Sequence, residues 1–232
     1  MGHAIIQRLR RSAILLLTLV FLGGAYTVYA DWRDRTPEAA LMQIAHAVRT
    51  EDRQLFDTYV DEDAVLTSLH TDVSTLLVDN IEVLHERHPS DWFFRHDSAF
   101  MRDYMAQHRA EHMDAARMAL DFYFDAHRVP VTKEDGNARW ISDEMRAFAA
   151  HYTVDMEPAV IAGDRALVLC RIHGDSAENG RLLPEGSVTM ELVRQESGRW
   201  KLTRIMTDTA RANGFYAFVD AAERYWELQG WD

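Results

Sequence analysis

Between residues 151 and 207 the apolar positions fall on alternate residues, and polar turn residues interrupt them at short intervals. Period two is the repeat of a β-strand, whose successive side chains point to opposite faces. Tyr152, Val154 and Met156 alternate with Thr153, Asp155 and Glu157. Pro158 has no N–H to give a ladder, so this first strand is expected at an edge or to be bulged there. Ala162-Gly163-Asp164-Arg165 reads as a turn, and the nearly continuous apolar run of residues 166–172 reads as a central strand. A polar loop over residues 174–186 follows, then Val188, Met190 and Leu192 alternate again. Glu196-Ser197-Gly198 turns the chain, and Trp200-Lys201-Leu202 opens the last strand. The fold class this predicts is α+β: a curved four-stranded antiparallel sheet with helices packed on its concave side.

The helices come first. Thr36-Pro37-Glu38 is a start signal, with Thr as N-cap, Pro at the first helical position and an acid in the first turn. Leu41, Ile44, Ala45 and Val48 then recur at helical spacing. Thr50-Glu51-Asp52 starts a second helix, and Asp61 is expected to cap a third. Helix continues over residues 72–87 until His88-Pro89-Ser90-Asp91 breaks it. Asp97 or Ser98 caps what reads as one long helix over residues 98–126. Residues 129–137 read as a polar connection, Ser142-Asp143-Glu144 as the start of a short helix, and residues 211–228 as a closing helix. The expected domain plan is a leader over 1–30 and one domain over 31–232. That domain is helical over 37–150, sheet over 151–208 and helical again over 211–228.

The leader has a basic start ending at Arg11, an apolar run over residues 13–22 broken by Thr18, and a small-residue tail ending Val28-Tyr29-Ala30. That tail suits signal peptidase cleavage after Ala30. The 19 residues from Ser12 to Ala30 also suffice for one helical membrane span. The expectation is a membrane anchor, with cleavage and secretion as the alternative; arginines before the run and acids after it place the domain outside the cytoplasm. The formal charge is −12, and setting aside the leader's three arginines leaves −15 on the rest. Such a domain lacks the basic surface that nucleic acid requires, so no nucleic-acid partner is expected. A single cysteine, Cys170, excludes an intramolecular disulfide. No cofactor is implied.

Two places carry candidate chemistry. His108-Arg109-Ala110-Glu111-His112 matches the H-x-x-E-H string, in which histidines at i and i+4 share a helix face and chelate zinc with the glutamate as base. A zinc hydrolase also needs a distant third ligand, which the sequence does not assign. His108 and His112 also lie on the stripe of Met101, Met105, Ala116 and Ala119, where partly buried histidines satisfy themselves by hydrogen bonds. Arg204 is the other place. Strict alternation puts it beside Trp200, Leu202 and Met206, where a buried guanidinium needs a carboxylate or a ligand anion. A bulge would instead turn Ile205 inward and leave Arg204 in solvent.

Helices followed by a meander ending Gly198-Arg199-Trp200-Lys201-Leu202 resemble the nuclear-transport-factor-two-like (cystatin-like) superfamily, whose last strands often read glycine, any residue, tryptophan, lysine, aliphatic. The hairpin Ala162-Gly163-Asp164-Arg165-Ala166 is similar to the turn between that group's early strands. Thr36-Pro37-Glu38 through Ala47, Asp52, Phe56 and Tyr59-Val60-Asp61 resembles a bacterial envelope family of unknown function with such a domain behind a membrane segment. The resemblance covers most of residues 36–208. It implies a cone-shaped cavity under the sheet, which isomerase-like and dehydratase-like members line with Asp, Tyr or His. None of those residues maps here one by one, and the helical insert over residues 72–126 departs from the compact enzyme pattern. The function expected is therefore a non-enzymatic binding module with an unknown protein or small-molecule partner, for which Arg204, His108 and His112 are the candidate ligand contacts. A small-molecule isomerase or lyase is the alternative.

Overall fold

The computed structural model describes residues 35–229. The expected leader over residues 1–30 lies outside them. Among the described residues the chain is α+β, with eight α-helices and one antiparallel sheet of five strands. None of these helices is long and apolar enough to cross a membrane.

Helix α1 (Pro37–Thr50) starts where its cap signal predicts, with Thr36 accepting from the Ala39 N–H. Asp52 caps α2 (Arg53–Tyr59) and Asp61 caps α3 (Glu62–Asp79), each by accepting from the N–H three residues on. Asn80 separates α3 from α4 (Ile81–Arg87), so the run over residues 72–87 is two helices. A short 3-10 turn at Phe93–Arg95 leads into α5 (Ser98–Gln107), capped by Asp97.

The single long helix expected over residues 98–126 is two. His108 leaves helical geometry (φ −94°, ψ 6°), and α6 runs Arg109–Phe124. A second correction concerns residues 129–149. The expected polar connection contains the start of α7 (Lys133–Ala149), closed by a capping box. Thr132 accepts from the Asp135 N–H, and the Asp135 carboxylate accepts from the Thr132 N–H. Gly136 and Asn137 therefore sit inside a helix, and Ser142 is a buried mid-helix residue, not a start.

The strands are β1 (Tyr152–Met156), β2 (Val160–Ala162), β3 (Arg165–Gly174), β4 (Glu185–Arg194) and β5 (Trp200–Met206). Their order is β1-β3-β4-β5, with β2 also on β3. The expected count of four fails at Pro158: the edge strand breaks there and resumes as β2 against the same neighbour. Helix α8 (Phe215–Gln229) closes the chain.

One face of the sheet is dry. Ala166, Val168, Cys170, Leu192, Trp200 and Leu202 pack on Ala40, Leu41, Ala47, Phe56 and Tyr59 of α1 and α2. The Trp200 indole N–H donates to the Arg35 carbonyl at 3.0 Å, which satisfies its one polar group. The opposite face is laced by Arg165–Glu191, Arg171–Glu157 and His173–Asp155 pairs. A second core lies away from the sheet's centre, where Leu77, Ile81, Leu84, Phe94, Met101, Met105 and Phe215 join α3, α4, α5 and α8.

Candidate functional site

The centre of the sheet offers no reactive pair. Its dry face is filled by aliphatic side chains and Trp200, and burial pushes the Cys170 thiol up to about 11, which keeps it protonated and unreactive at neutral pH.

Arg204 shows how the conflict between pattern and chemistry is resolved. Leu192 pairs with Leu202 but Glu191 pairs with Arg204, so Thr203 is the extra residue of a β-bulge. The bulge turns Ile205 toward the core, as the pattern allowed. It leaves the Arg204 side chain partly exposed, as the pattern also allowed, but not unpaired. Asp72 of α3 clasps the guanidinium through two bonds of 2.8 and 2.7 Å, and this pairing is the main cause that raises its pKa. The cation is already matched, and it ties α3 to the sheet rather than facing a ligand.

The H-x-x-E-H string is taken apart by the break at His108. The Nδ1 of His108 lies 2.9 Å from the Tyr104 carbonyl, which can only accept, so Nδ1 carries the hydrogen. Its ring stacks on Tyr104, with centroids 4.2 Å apart, and lies 6.1 Å from the His112 ring. Glu111 is exposed. His112 instead meets a residue that sequence reasoning did not select: its Nδ1 is 3.4 Å from Nε2 of His70 on α3. Among the described residues no group of three or more His, Cys, Asp or Glu side chains is arranged to hold a metal ion. The chelate that zinc hydrolysis would need is therefore not the pair brought together.

His70 stands at one end of an open groove of about 530 Å³ between α3 and α5–α6. His70, Thr71, Ser74, Thr75 and Val78 line it from α3, because positions four apart stack on one helix face. Arg102, Met105 and Arg109 line the other wall, at spacings of three and four. The hydroxyls face inward yet give their hydrogens to α3's own backbone. Thr71 donates to the Thr67 carbonyl, Ser74 to His70 and Thr75 to Thr71. Donors for a ligand must come from the arginines.

Those arginines are uncommitted. Among the described residues the side chains of Arg102 and Arg109 form no ion pair or hydrogen bond, and both are exposed. Ten other arginines do pair with carboxylates, including Arg53, Arg87, Arg117 and Arg146. Burial, then the His112 and Arg109 charges, hold His70 below the usual imidazole value. The groove is thus a patch of unanswered positive charge on an acidic domain, with Asp79 as its one carboxylate.

A second cluster sits where α8 meets the segment after α4. Burial, then the neighbouring Asp91, pushes Glu223 up to about 7. Beside them Asp220 accepts from Arg87 and meets Nε2 of His88 at 2.9 Å. Neither cluster was legible as a unit in sequence. One signal was available for the first: rings recur every four residues at Trp92, His96, Phe100, Tyr104, His108 and His112, and each ring meets the next. That spacing marks one continuous face ending at His112.

Compared with known proteins, the chain matches no family model, no curated protein and no solved structure.

Proposed function

We propose that this chain is a non-enzymatic binding module of the cell envelope, and that its ligand is a small organic anion held in the groove between α3 and α5–α6. The observation that carries the reading is the pair Arg102 and Arg109, two guanidinium groups without carboxylates in a domain rich in acids. Guanidinium groups bind carboxylate and phosphate by paired N–H bonds, and an opening of this size suits a small molecule. The reading places the domain outside the cytoplasm, held at the membrane by residues 12–30 or released by cleavage after Ala30. It keeps the nuclear-transport-factor-two-like plan, with the groove on the helical insert instead of under the sheet.

Calorimetric titration of the full-length protein in detergent with succinate and with inorganic phosphate tests this. At least one anion is expected to bind, with affinity falling as salt rises, and Arg102→Ala/Arg109→Ala is expected to remove the signal while Arg165→Ala keeps it. Equal binding by the double variant, or no binding of either anion, overturns the reading.

The second reading is a small-molecule isomerase or lyase. The observation that favours it is the half-buried Glu223 beside Asp91, pushed by burial up to about 7, the condition a general acid needs. It requires Glu223→Gln to abolish a turnover that the arginine variants retain.

A further inference from the structure

We infer that His70 and His112 form a two-histidine clip for a transition-metal ion such as Zn²⁺ or Cu²⁺, joining α3 to α6. This inference stands on imidazole geometry and not on the anion reading. Nε2 of His70 and Nδ1 of His112 are 3.4 Å apart, and the ring centroids are 5.6 Å apart at an interplanar angle of 38°. An N–H···N bond favours about 3 Å, so the contact is long for a hydrogen bond. It fits a chelate better: two nitrogens each about 2.05 Å from one tetrahedral ion stand roughly 3.3–3.4 Å from each other.

Ser74 Oγ gives its hydrogen to the His70 carbonyl at 2.6 Å and lies 3.4 Å from Nδ1 of His70. Its lone pairs therefore stand on the Nδ1 side of the ring, which suits the tautomer that leaves Nε2 free to offer its own lone pair toward His112. Both rings are half-buried, which limits their rotation.

No third side-chain ligand stands by among the described residues, so the remaining positions on the ion belong to water or a bound anion. Imidazole suits Zn²⁺, Ni²⁺ and Cu²⁺, with Cu²⁺ the strongest binder. Arg109 opposes a cation here, since its charge already acts on His70. Because the ligands lie 42 positions apart in sequence, an ion held by both ties two helices and stabilises the fold by mass action.

The test uses chelator-treated full-length protein and the metal alone, with Zn²⁺ followed by calorimetry and Cu²⁺ by electron paramagnetic resonance. Expected are one equivalent bound through His70 and His112, two coupled imidazole nitrogens in the Cu²⁺ spectrum, and a raised melting temperature with Zn²⁺. His70→Gln and His112→Gln are each expected to weaken binding at least about tenfold. His108→Gln should leave it unchanged, and Arg109→Gln should tighten it. Binding that survives both glutamine variants, or is lost equally with His108→Gln, overturns the clip, provided circular dichroism shows the variants folded. Should a glutamine variant unfold, the count of coupled nitrogens in the unaltered protein decides alone, one or none overturning the clip. His112→Gln with intact anion binding separates this site from the anion groove, and Arg102→Ala with intact metal binding does the converse.

Discussion

The half of the molecule built on the sheet and the half built from α3 to α8 are stabilised differently, and the difference separates a fully packed face from an open groove. On the sheet, alternate residues present one apolar face to α1 and α2, and Trp200, Leu192, Val168 and Cys170 are almost wholly buried. The helical half also has an apolar core. Around it, however, lie six rings spaced four apart, the His70–His112 contact, an open groove and the raised carboxyl of Glu223. A face that meets its neighbour completely leaves no room for a ligand. Helices meeting at a break leave grooves, and polar groups collect there.

The largest expected effect tests the dry half. Trp200 is 1% exposed, and Trp200→Ala should cost about 3–5 kcal/mol through lost burial and the cavity left behind. Chemical denaturation measures it, and a midpoint near that of the parent protein would break the comparison. Anion binding in the helical groove should survive at temperatures where the variant stays folded.

Next comes the tie between the halves. Asp72→Ala strands Arg204 beside Glu191 and removes two hydrogen bonds. The pair is partly exposed, so about 1 kcal/mol is expected, read as faster amide exchange at the α3–β5 seam. Unchanged exchange there would show that apolar packing alone joins the two halves.

A smaller change should strengthen the helical half. Gly136 lies in α7, and a Cβ there would meet no atom within 4 Å. Gly136→Ala should stabilise by about 0.5–1 kcal/mol, measured as a higher melting temperature. A lower one would contradict the helical assignment of residues 133–137.

The smallest effect is in pH. Glu223 is favoured in its protonated form by the fold, so its contribution is present below the ordinary carboxylate range. That contribution is lost as pH rises through about 7. Glu223 is half-buried, so the loss is modest and local. Amide protection in α8, taken relative to the intrinsic exchange rate at each pH, should be lower at pH 8 than at pH 6, with the difference absent in Glu223→Gln. Equal protection at both values would contradict a raised Glu223.

What the sequence determined by itself is whatever acts within a few residues. Thr36, Asp52, Asp61 and Asp97 cap the N–H three positions on, so those helix starts were legible. Alternation in residues 188–192 fixed which side chains face the core, whereas Val154 and Met156, which alternate in the same way, stay exposed at the sheet edge. Local rules misjudged Gly136 because the capping box at Thr132 and Asp135 outweighs one glycine. They missed the break at His108, because ordinary helix formers flank it on both sides. Tertiary structure alone decided the long-range pairings. Arg204 finds Asp72 132 positions away, His112 finds His70 42 positions away, and Glu223 comes beside Asp91. A residue's type sets what partner it needs, but only the relative placement of packed helices sets which partner comes within reach.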